Sequence, residues 1–442
     1  MRAAFLLLCL LAAPVAAWGE AGEPPVVVPG SAIPDKARPQ QPAGQTLPLQ
    51  ATRHLRFDAH AGTWISLDRS PDGRRIVFDL LGDLYTMPAA GGRATRISGG
   101  LPFDSAPAYA PDGQWIAYVS DRSGADNLWI AHPDGGAARQ VTFGDDDTVL
   151  VSPAWAPDGR ALYVSRYRPD LNGYELWRYD LAGRGTLLVP IRDAPDAPRG
   201  TWRSSLGAAP SPDGRALYMA RRTGDLSFED VEEWTIVRRD LRTGREETVV
   251  AEPDGPRKAL DPGAAFRPAL SPDGRLLAYA HRLDGQTELR IRDLATGADR
   301  RLAFPIEHDQ IEASMWQDIV PRYAFTPDGK AILLGVRGGI ERIAVEDGAA
   351  TLIPFTAPVD LAIGPSTRQT IREETGPVRA RLIMAPVVSP DGGTLAFSAL
   401  GRLYRMRLDG HATPVPFAPG GDPAFQPSWS PDGKSLVWVR WS

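Results

Sequence analysis

Cysteine is almost missing from this 442-residue chain, Cys9 being the only one. It sits in an apolar run near the N-terminus with Leu8 before it, where a lipidated cysteine would follow a small residue. Past that run there is no thiol, which excludes a disulfide framework and a cysteine metal site. Histidine is scarce too. The six are His54, His60, His132, His281, His308 and His411, and no two are spaced by two. A dominant charge is also lacking: 49 Lys and Arg face 54 Asp and Glu, and the arginines are scattered, so no basic stripe marks a nucleic-acid partner. There is no Gly-x-Ser-x-Gly nucleophile elbow, since neither "RSSLGAAPS" nor "SDRSGADN" fits one. Beyond the leader no stretch has a convincing helical period.

What is present is a turn, written eight times. An x-Pro-Asp-Gly turn followed by a short apolar run has its aspartate at Asp72, Asp112, Asp158, Asp213, Asp273, Asp328, Asp391 and Asp432. Proline presets φ at the second turn position, aspartate bonds its own local backbone and glycine accepts the left-handed conformation that follows. The steps run from about forty residues to the low sixties, which suits a four-stranded unit with loops of varying length. In the second copy "APAYA", "WIAYVS", "NLWIAHP" and "ARQVT" read as four successive strands, and the first copy has the same order. The expected fold is all-β: a β-propeller of four-stranded blades with seven complete units and a partial eighth. Further Pro-Asp-Gly triplets at Pro133 and Pro253 fall late in a unit and read as ordinary turns.

The ends have their own signals. Arg2, the run "AAFLLLCLLAAPVAA" and the small residues Val15, Ala16 and Ala17 form a secretion signal over 1–17, too short to span a membrane comfortably. Residues 18–50, rich in Pro, Gly and Ala, read as an extended linker. The propeller takes 51–442. Its last unit has only two strands, around Pro427 to Trp429 and from Leu436 to Trp441, so the chain is expected to be a truncated fragment whose last strand invites association. Leu55, Arg56 and Phe57 are placed to supply a ring-closing strand. Periplasmic or secreted location is expected, with no membrane span after signal cleavage.

The units resemble the TolB-like (WD40-like) propeller repeats of bacterial envelope proteins. The phrases "GTWISLDRSPDGRRIVFDLLGDLYTMPAAGG", "SDRSGADNLWI", "AFRPALSPDGRLLAYAHRLDG" and "GPVRARLIMAPVVSPDGGTLAFSALGRLY" are similar to the N-terminal propeller of large secreted bacterial amidohydrolases. The resemblance runs from about Leu55 to Ser442. It implies a metal-dependent hydrolase domain after the propeller, and that domain's His-x-His pair and further ligands have no counterpart here. Asp58 and His60 in "FDAHAG" lack the second histidine. No catalytic, cofactor or metal residues are therefore assigned; a divalent metal would belong to the missing domain. The expected function is a non-catalytic platform or substrate-access funnel whose partner is that C-terminal hydrolase domain. The alternatives are a stand-alone scaffold binding an envelope protein and the propeller of a serine peptidase without its catalytic part.

Two long steps are the informative departures. "RTGDLSFEDVEEWTIVRRD" carries Phe228, Glu229, Glu233 and Trp234, and "FPIEHDQIEASMWQDIVPRYAFTPDG" carries His308, Asp309, Gln310, Trp316, Asp318 and Arg322. Such insertions are candidate ligand or domain-docking loops, because propellers bind through loops at the channel mouth. The acidic run Asp145, Asp146 and Asp147 lacks the ligand spacing of a calcium loop and reads as a solvated connection. Far-ultraviolet circular dichroism should accordingly show β-structure, and a helical fraction near a third, about the globular average, would refute the propeller.

Overall fold

A computed structural model describes residues 50–224, 234–251, 264–283, 285–311, 318–366, 368, 371, 375–410, 412–417 and 421–441. The chain divides into two compact units, Met1–Pro365 and Ser366–Ser442. The described residues form seven four-stranded sheets, a two-stranded sheet and a three-stranded ribbon; the first two kinds together make the eight that the turns imply. The signal and almost all of the linker lie outside the described residues, as do Phe228, Glu229, Glu233 and Trp316.

Six of the eight hairpins open on the same hydrogen-bonded knot. In the first, Ser70 Oγ donates to Asp72 Oδ1 at 2.6 Å, and the same oxygen accepts the Arg74 N–H at 3.0 Å. The Arg75 N–H then donates to Ser70 Oγ at 3.0 Å, closing the turn over Gly73, whose φ of 71° is left-handed. Ser211 with Asp213, Ser271 with Asp273, Thr326 with Asp328, Ser389 with Asp391 and Ser430 with Asp432 repeat the hydroxyl contact. The hydroxyl bond holds each of these carboxyls below its ordinary value. Asp112 and Asp158 follow Ala110 and Ala156, so they keep only the backbone bond.

The first unit stacks six four-stranded sheets, beginning with the strands Leu67–Arg69, Arg75–Leu80, Asp83–Pro88 and Thr95–Arg96. Successive sheets meet through two repeated contacts. Three turn glycines lie against the turn proline of the sheet before: Gly113 on Pro71, Gly274 on Pro212 and Gly329 on Pro272. Farther out, a Cβ at Gly135, Gly183 or Gly348 would fall 2.1, 2.4 or 2.3 Å from the carbonyl oxygen of Ile97, Val141 or Leu302 in the preceding sheet. Only glycine permits that approach.

The first sheet makes both contacts with the sixth. Gly73 lies on Pro327, and a Cβ at Gly91 would fall 2.3 Å from Pro354 O. The Leu67 N–H also donates to Arg322 O at 3.1 Å. The ring of the first unit thus closes after six sheets. Phe355–Ile363, which follows the sixth sheet, turns back along the first: it pairs antiparallel with Arg53–Ala59 and parallel with Gly92–Arg93. Leu55, Arg56 and Phe57 therefore do form a closing strand, with this segment as partner. Phe355 packs its ring 5.3 Å from that of Phe78, in a cluster with Ile76, Tyr85 and Leu333. His60, exposed, has Nδ1 3.2 Å from Thr356 Oγ1 on this ribbon, and Asp58 pairs with Arg93 at 3.4 Å.

The second unit holds Met384–Val388, Thr394–Ala399, Arg402–Arg407 and Val415–Pro416 as one sheet and pairs Ala424–Trp429 with Leu436–Arg440. Gly433 lies on Pro390, the same inter-sheet contact.

If Phe355 seals the closing ribbon, Phe355→Ala should lower stability by about 3–5 kcal/mol in chemical denaturation. Phe57→Ala, on the solvent side of the same ribbon, should change it by less than about 0.5 kcal/mol. Equal losses would mean that Phe355 does not hold the closure.

Candidate functional site

The six innermost strands point one residue each into the channel, and the turn motif indexes it. Five positions before each turn proline stand Ser66, Ala106, Ser152, Gly207, Arg267 and Arg322. In four of the six sheets the cross-strand register slips here, and Ala106, Ser152, Gly207 and Arg267 have φ between 53° and 69°. These are bulges, which bend the strand and re-aim a side chain. At Ala106 and Gly207 the backbone N–H is met by a side chain of the preceding sheet. The N–H groups of Ser66 and Ala106 each donate to one oxygen of Asp79 at 2.8 Å, and the Gly207 N–H donates to Ser165 Oγ at 3.0 Å.

Two cavities lie along this axis. The one on the turn side, about 570 Å³, is rimmed by Pro71, Pro111, Pro157, Pro212, Pro272 and Pro327 and walled by Arg69, Arg267 and Arg322 together with Asp68. The other, about 330 Å³, carries Asp79, Asp104, Asp126 and Asp318 beside Trp64, Leu80, Phe103 and Val151, with no basic residue among the described residues that line it. Ser152 lines both. Arg267, 7% exposed, hydrogen-bonds Asp318, 8% exposed, and both bond Ser152 Oγ, so a buried ion pair stands where the cavities adjoin. Tyr323 adds a bond from its hydroxyl to Arg267 O. The turn-side cavity is thus lined by three arginines and one aspartate, and the other by four aspartates, of which Asp104 and Asp318 are paired with arginine.

Burial pushes the Asp79 carboxyl up to about 7, against the pull of its two backbone donors, and that of Asp126 up to about 6. Asp104 is held by Arg122 at 2.6 Å. Burial lowers the Arg322 guanidinium, Asp68 raises it, and the like charge of Arg267 lowers it again.

Of the residues singled out in the two long steps, Arg322 and Asp318 line these cavities. Trp234, 1% exposed, is core, packed in one cluster with Phe266 and Leu289. Asp309 is 2% exposed and engaged by Arg282 Nη1 and by Thr287 Oγ1, each at 2.7 Å. The Gln310 N–H donates to Ile319 O at 2.8 Å, and exposed His308 has Nδ1 2.7 Å from Asp309 O. These three fasten the loop between the fifth and sixth sheets. Asp146 accepts the Thr148 N–H at 3.1 Å and pairs with Arg166 at 3.3 Å. Arg69, Arg267, Asp68, Asp79 and Ser152 went unnoticed in the sequence; aligning the eight turns and reading five residues back would have exposed Arg267 beside Arg322 as the two charged members of a small-residue column. Among the described residues no group of three His, Cys, Asp or Glu side chains that could hold a metal ion comes together. No described helix is long and apolar enough to cross a membrane.

Residues 49–189 match the family described as the TolB beta propeller domain. Over 97 residues the chain is 34% identical to Tricorn protease homolog 1 of Streptomyces coelicolor, covering 22% of this chain and 9% of that protein. Over 188 residues it is 27% identical to Protein TolB homolog of Chlorobium luteolum, covering 42% of this chain and 36% of that one. The matches thus span little more than a third of these relatives at most. The solved structure of TolB from Acinetobacter baumannii is 18% identical with a TM-score of 0.46, covering 67% of this chain and 66% of that chain.

A raised carboxyl pKa favours folding while the group is protonated. The contribution of Asp79 is fully present below about 4, its unfolded value, and is lost as pH rises through about 7. Wild type should therefore lose stability relative to Asp79→Asn across that window, by up to about 1.4 kcal/mol per pH unit. Denaturation midpoints of the pair that stay parallel from pH 4 to 8 would contradict this.

Proposed function

We propose, from the premise that the chain carries a TolB-like β-propeller region, that it is the non-catalytic propeller portion of a periplasmic or secreted amidohydrolase-type protein, a platform and substrate-access funnel for a hydrolase domain. The observation that supports a funnel is the channel: the innermost strands border two adjoining cavities, one lined by arginines and the other by aspartates. Such a passage admits a small or extended molecule and sorts it by charge. The reading places the leader at 1–17, the linker at 18–50 and the metal of the hydrolytic chemistry in the other domain, and it assigns the chain no cofactor and no nucleic-acid partner.

A second reading, a stand-alone envelope scaffold, draws support from the match of residues 49–189 to the TolB propeller family. The likeness to a tricorn protease homologue gives a peptidase propeller some support as well.

The locus tests these readings. Coding sequence continuing past the Ser442 codon should encode a hydrolase frame with a His-x-His pair, and the purified chain should turn over neither amides nor esters. An unrelated gene at that place would favour the scaffold, and a Gly-x-Ser-x-Gly frame would favour the peptidase. Turnover by the purified chain itself would overturn all three.

A further inference from the structure

We propose that the open edge of Leu436–Arg440 in the second unit is an acceptor for an extended peptide strand, laid antiparallel, with a leucine set against Val439 and an aromatic ring against Trp438. This goes beyond the platform reading, because it concerns the second unit alone and needs no hydrolase domain.

The seven complete sheets show what such an edge holds. In each, the strand after the turn is covered along its far side by an antiparallel third strand. Seven places after the turn proline stand Phe78 in the first sheet, Tyr118 in the second and Phe397 in the seventh, and the third strand sets Tyr85, Trp129 and Tyr404 opposite them. Phe78 stacks on Tyr85 and Phe397 on Tyr404, with ring centroids 5.6 Å apart in both pairs. A leucine precedes the aromatic each time, Leu84, Leu128 and Leu403, and none is more than 2% exposed. A Leu-aromatic pair is thus a recurrent occupant of the third-strand place.

The eighth sheet has the receiving half of this arrangement. Counting from Pro431, Trp438 stands where Phe78 does, and Val439 stands at the position that faces the leucine. Trp438 is 37% and Val439 52% exposed, whereas Phe78 and Phe397 are at most 4%. Phe417, whose N–H donates to Leu403 O of the seventh sheet at 3.2 Å, sets its ring edge-on to Trp438 with centroids 6.4 Å apart. An added strand therefore meets an aromatic wall as well as a backbone edge.

The edge is ready to pair. The Ser430 N–H donates to Ser435 O at 2.9 Å and the Trp441 N–H to Pro423 O at 3.0 Å, so the odd-numbered residues bond the inner strand. Strand alternation then turns the N–H and C=O of Leu436 and Trp438 to the open side. Leu436–Arg440 has neither the proline nor the mid-strand charge that blunts an edge. Main-chain bonds supply the affinity of such strand addition, and the alternate side chains supply its selectivity. A second copy fits this edge poorly, because antiparallel pairing about a two-fold would bring both seventh sheets to the same face, where Phe417 already stands.

The test is isothermal titration of the full chain with the end-capped peptide of residues 124–131, Gly-Ala-Asp-Asn-Leu-Trp-Ile-Ala, which carries the Leu-Trp pair of the second sheet. The peptide should bind. N-methylation at its tryptophan, which keeps the side chains and removes one edge N–H, should weaken binding about tenfold, and Trp438→Ala should weaken it by about the same factor. Hydrogen exchange read at single amides should show the Trp438 N–H slowed by the peptide and that of Val437 unchanged. Should Trp438→Ala fail to fold, by its melting temperature, the exchange pattern of the wild type decides alone. No binding, equal binding of the N-methylated peptide, or protection elsewhere than along Leu436–Arg440 would overturn the proposal. A Trp438 N–H already protected without peptide would mean that a second copy covers the edge, and would overturn it too. None of these outcomes depends on what the locus encodes beyond Ser442.

Discussion

The first unit depends on the meeting of its sixth sheet with its first, because a sheet is stable only when its edges and faces are covered and a ring covers the faces with neighbours. Two kinds of close approach make the meeting possible, turn glycine on turn proline and glycine on a carbonyl oxygen. The pairs Gly73 with Pro327 and Gly91 with Pro354 satisfy both across the junction, as Gly329 with Pro272 and Gly348 with Leu302 do between sheets five and six. The closing junction is thus built like an internal one. Afterwards the ribbon of Arg53–Ala59 and Phe355–Ile363 covers the outer edge of the first sheet, and Phe355 carries that cover into the core.

Closure is also what creates the channel chemistry. Ser66, Ala106, Ser152, Gly207, Arg267 and Arg322 lie far apart along the chain. Set around one axis, the column is small and neutral on one arc and doubly basic on the other. Carboxylates from the same region then take fixed posts. Asp79 binds the first and second inner strands together through two N–H groups, and Asp68 does the same through the Tyr109 N–H. Burial of Asp79 without a cation of its own raises its pKa, whereas the exposed turn aspartates, held by a hydroxyl two residues away, fall below theirs. One residue type thus serves two environments with opposite consequences for pH.

Much of this architecture was legible because its determinants are local. The Ser70 to Asp72 to Arg75 knot spans six residues, so the turn, the strand after it and the number of sheets follow from reading along the chain. Closure was not legible, because the partner of Leu55, Arg56 and Phe57 lies some three hundred residues away and no periodicity announces it. The burial of residues within the long steps was not legible for a related reason. Asp309 and Trp234 stand in polar, irregular stretches that look solvated, yet Asp309 is matched by Arg282 and Thr287 from the fifth sheet, and Trp234 fills the cluster of Phe266 and Leu289. A charge is buried when its partner comes from another strand, and only the fold supplies that partner. Arg322 was singled out with the same insertion, but its role comes from its place in the column of inner residues.

The Arg267–Asp318 pair shows why the column keeps charges at all. Replacing a buried ion pair by well-packed apolar residues is often neutral or favourable to stability, so the pair is a poor device for holding the ring together. Its effect is on the field. Asp318 is consumed by Arg267 and Ser152 on the side facing Asp79 and Asp126, while Arg267 leaves Arg322 and Arg69 to set the sign of the turn side. An apolar pair at the same point would fill the volume and leave the two cavities without a defined boundary of charge. The bulge at Arg267, with its φ of 56°, is the backbone distortion that brings the guanidinium to that boundary. Strand geometry and ion pair are therefore one arrangement, set at Ser152 where the two cavities share a wall.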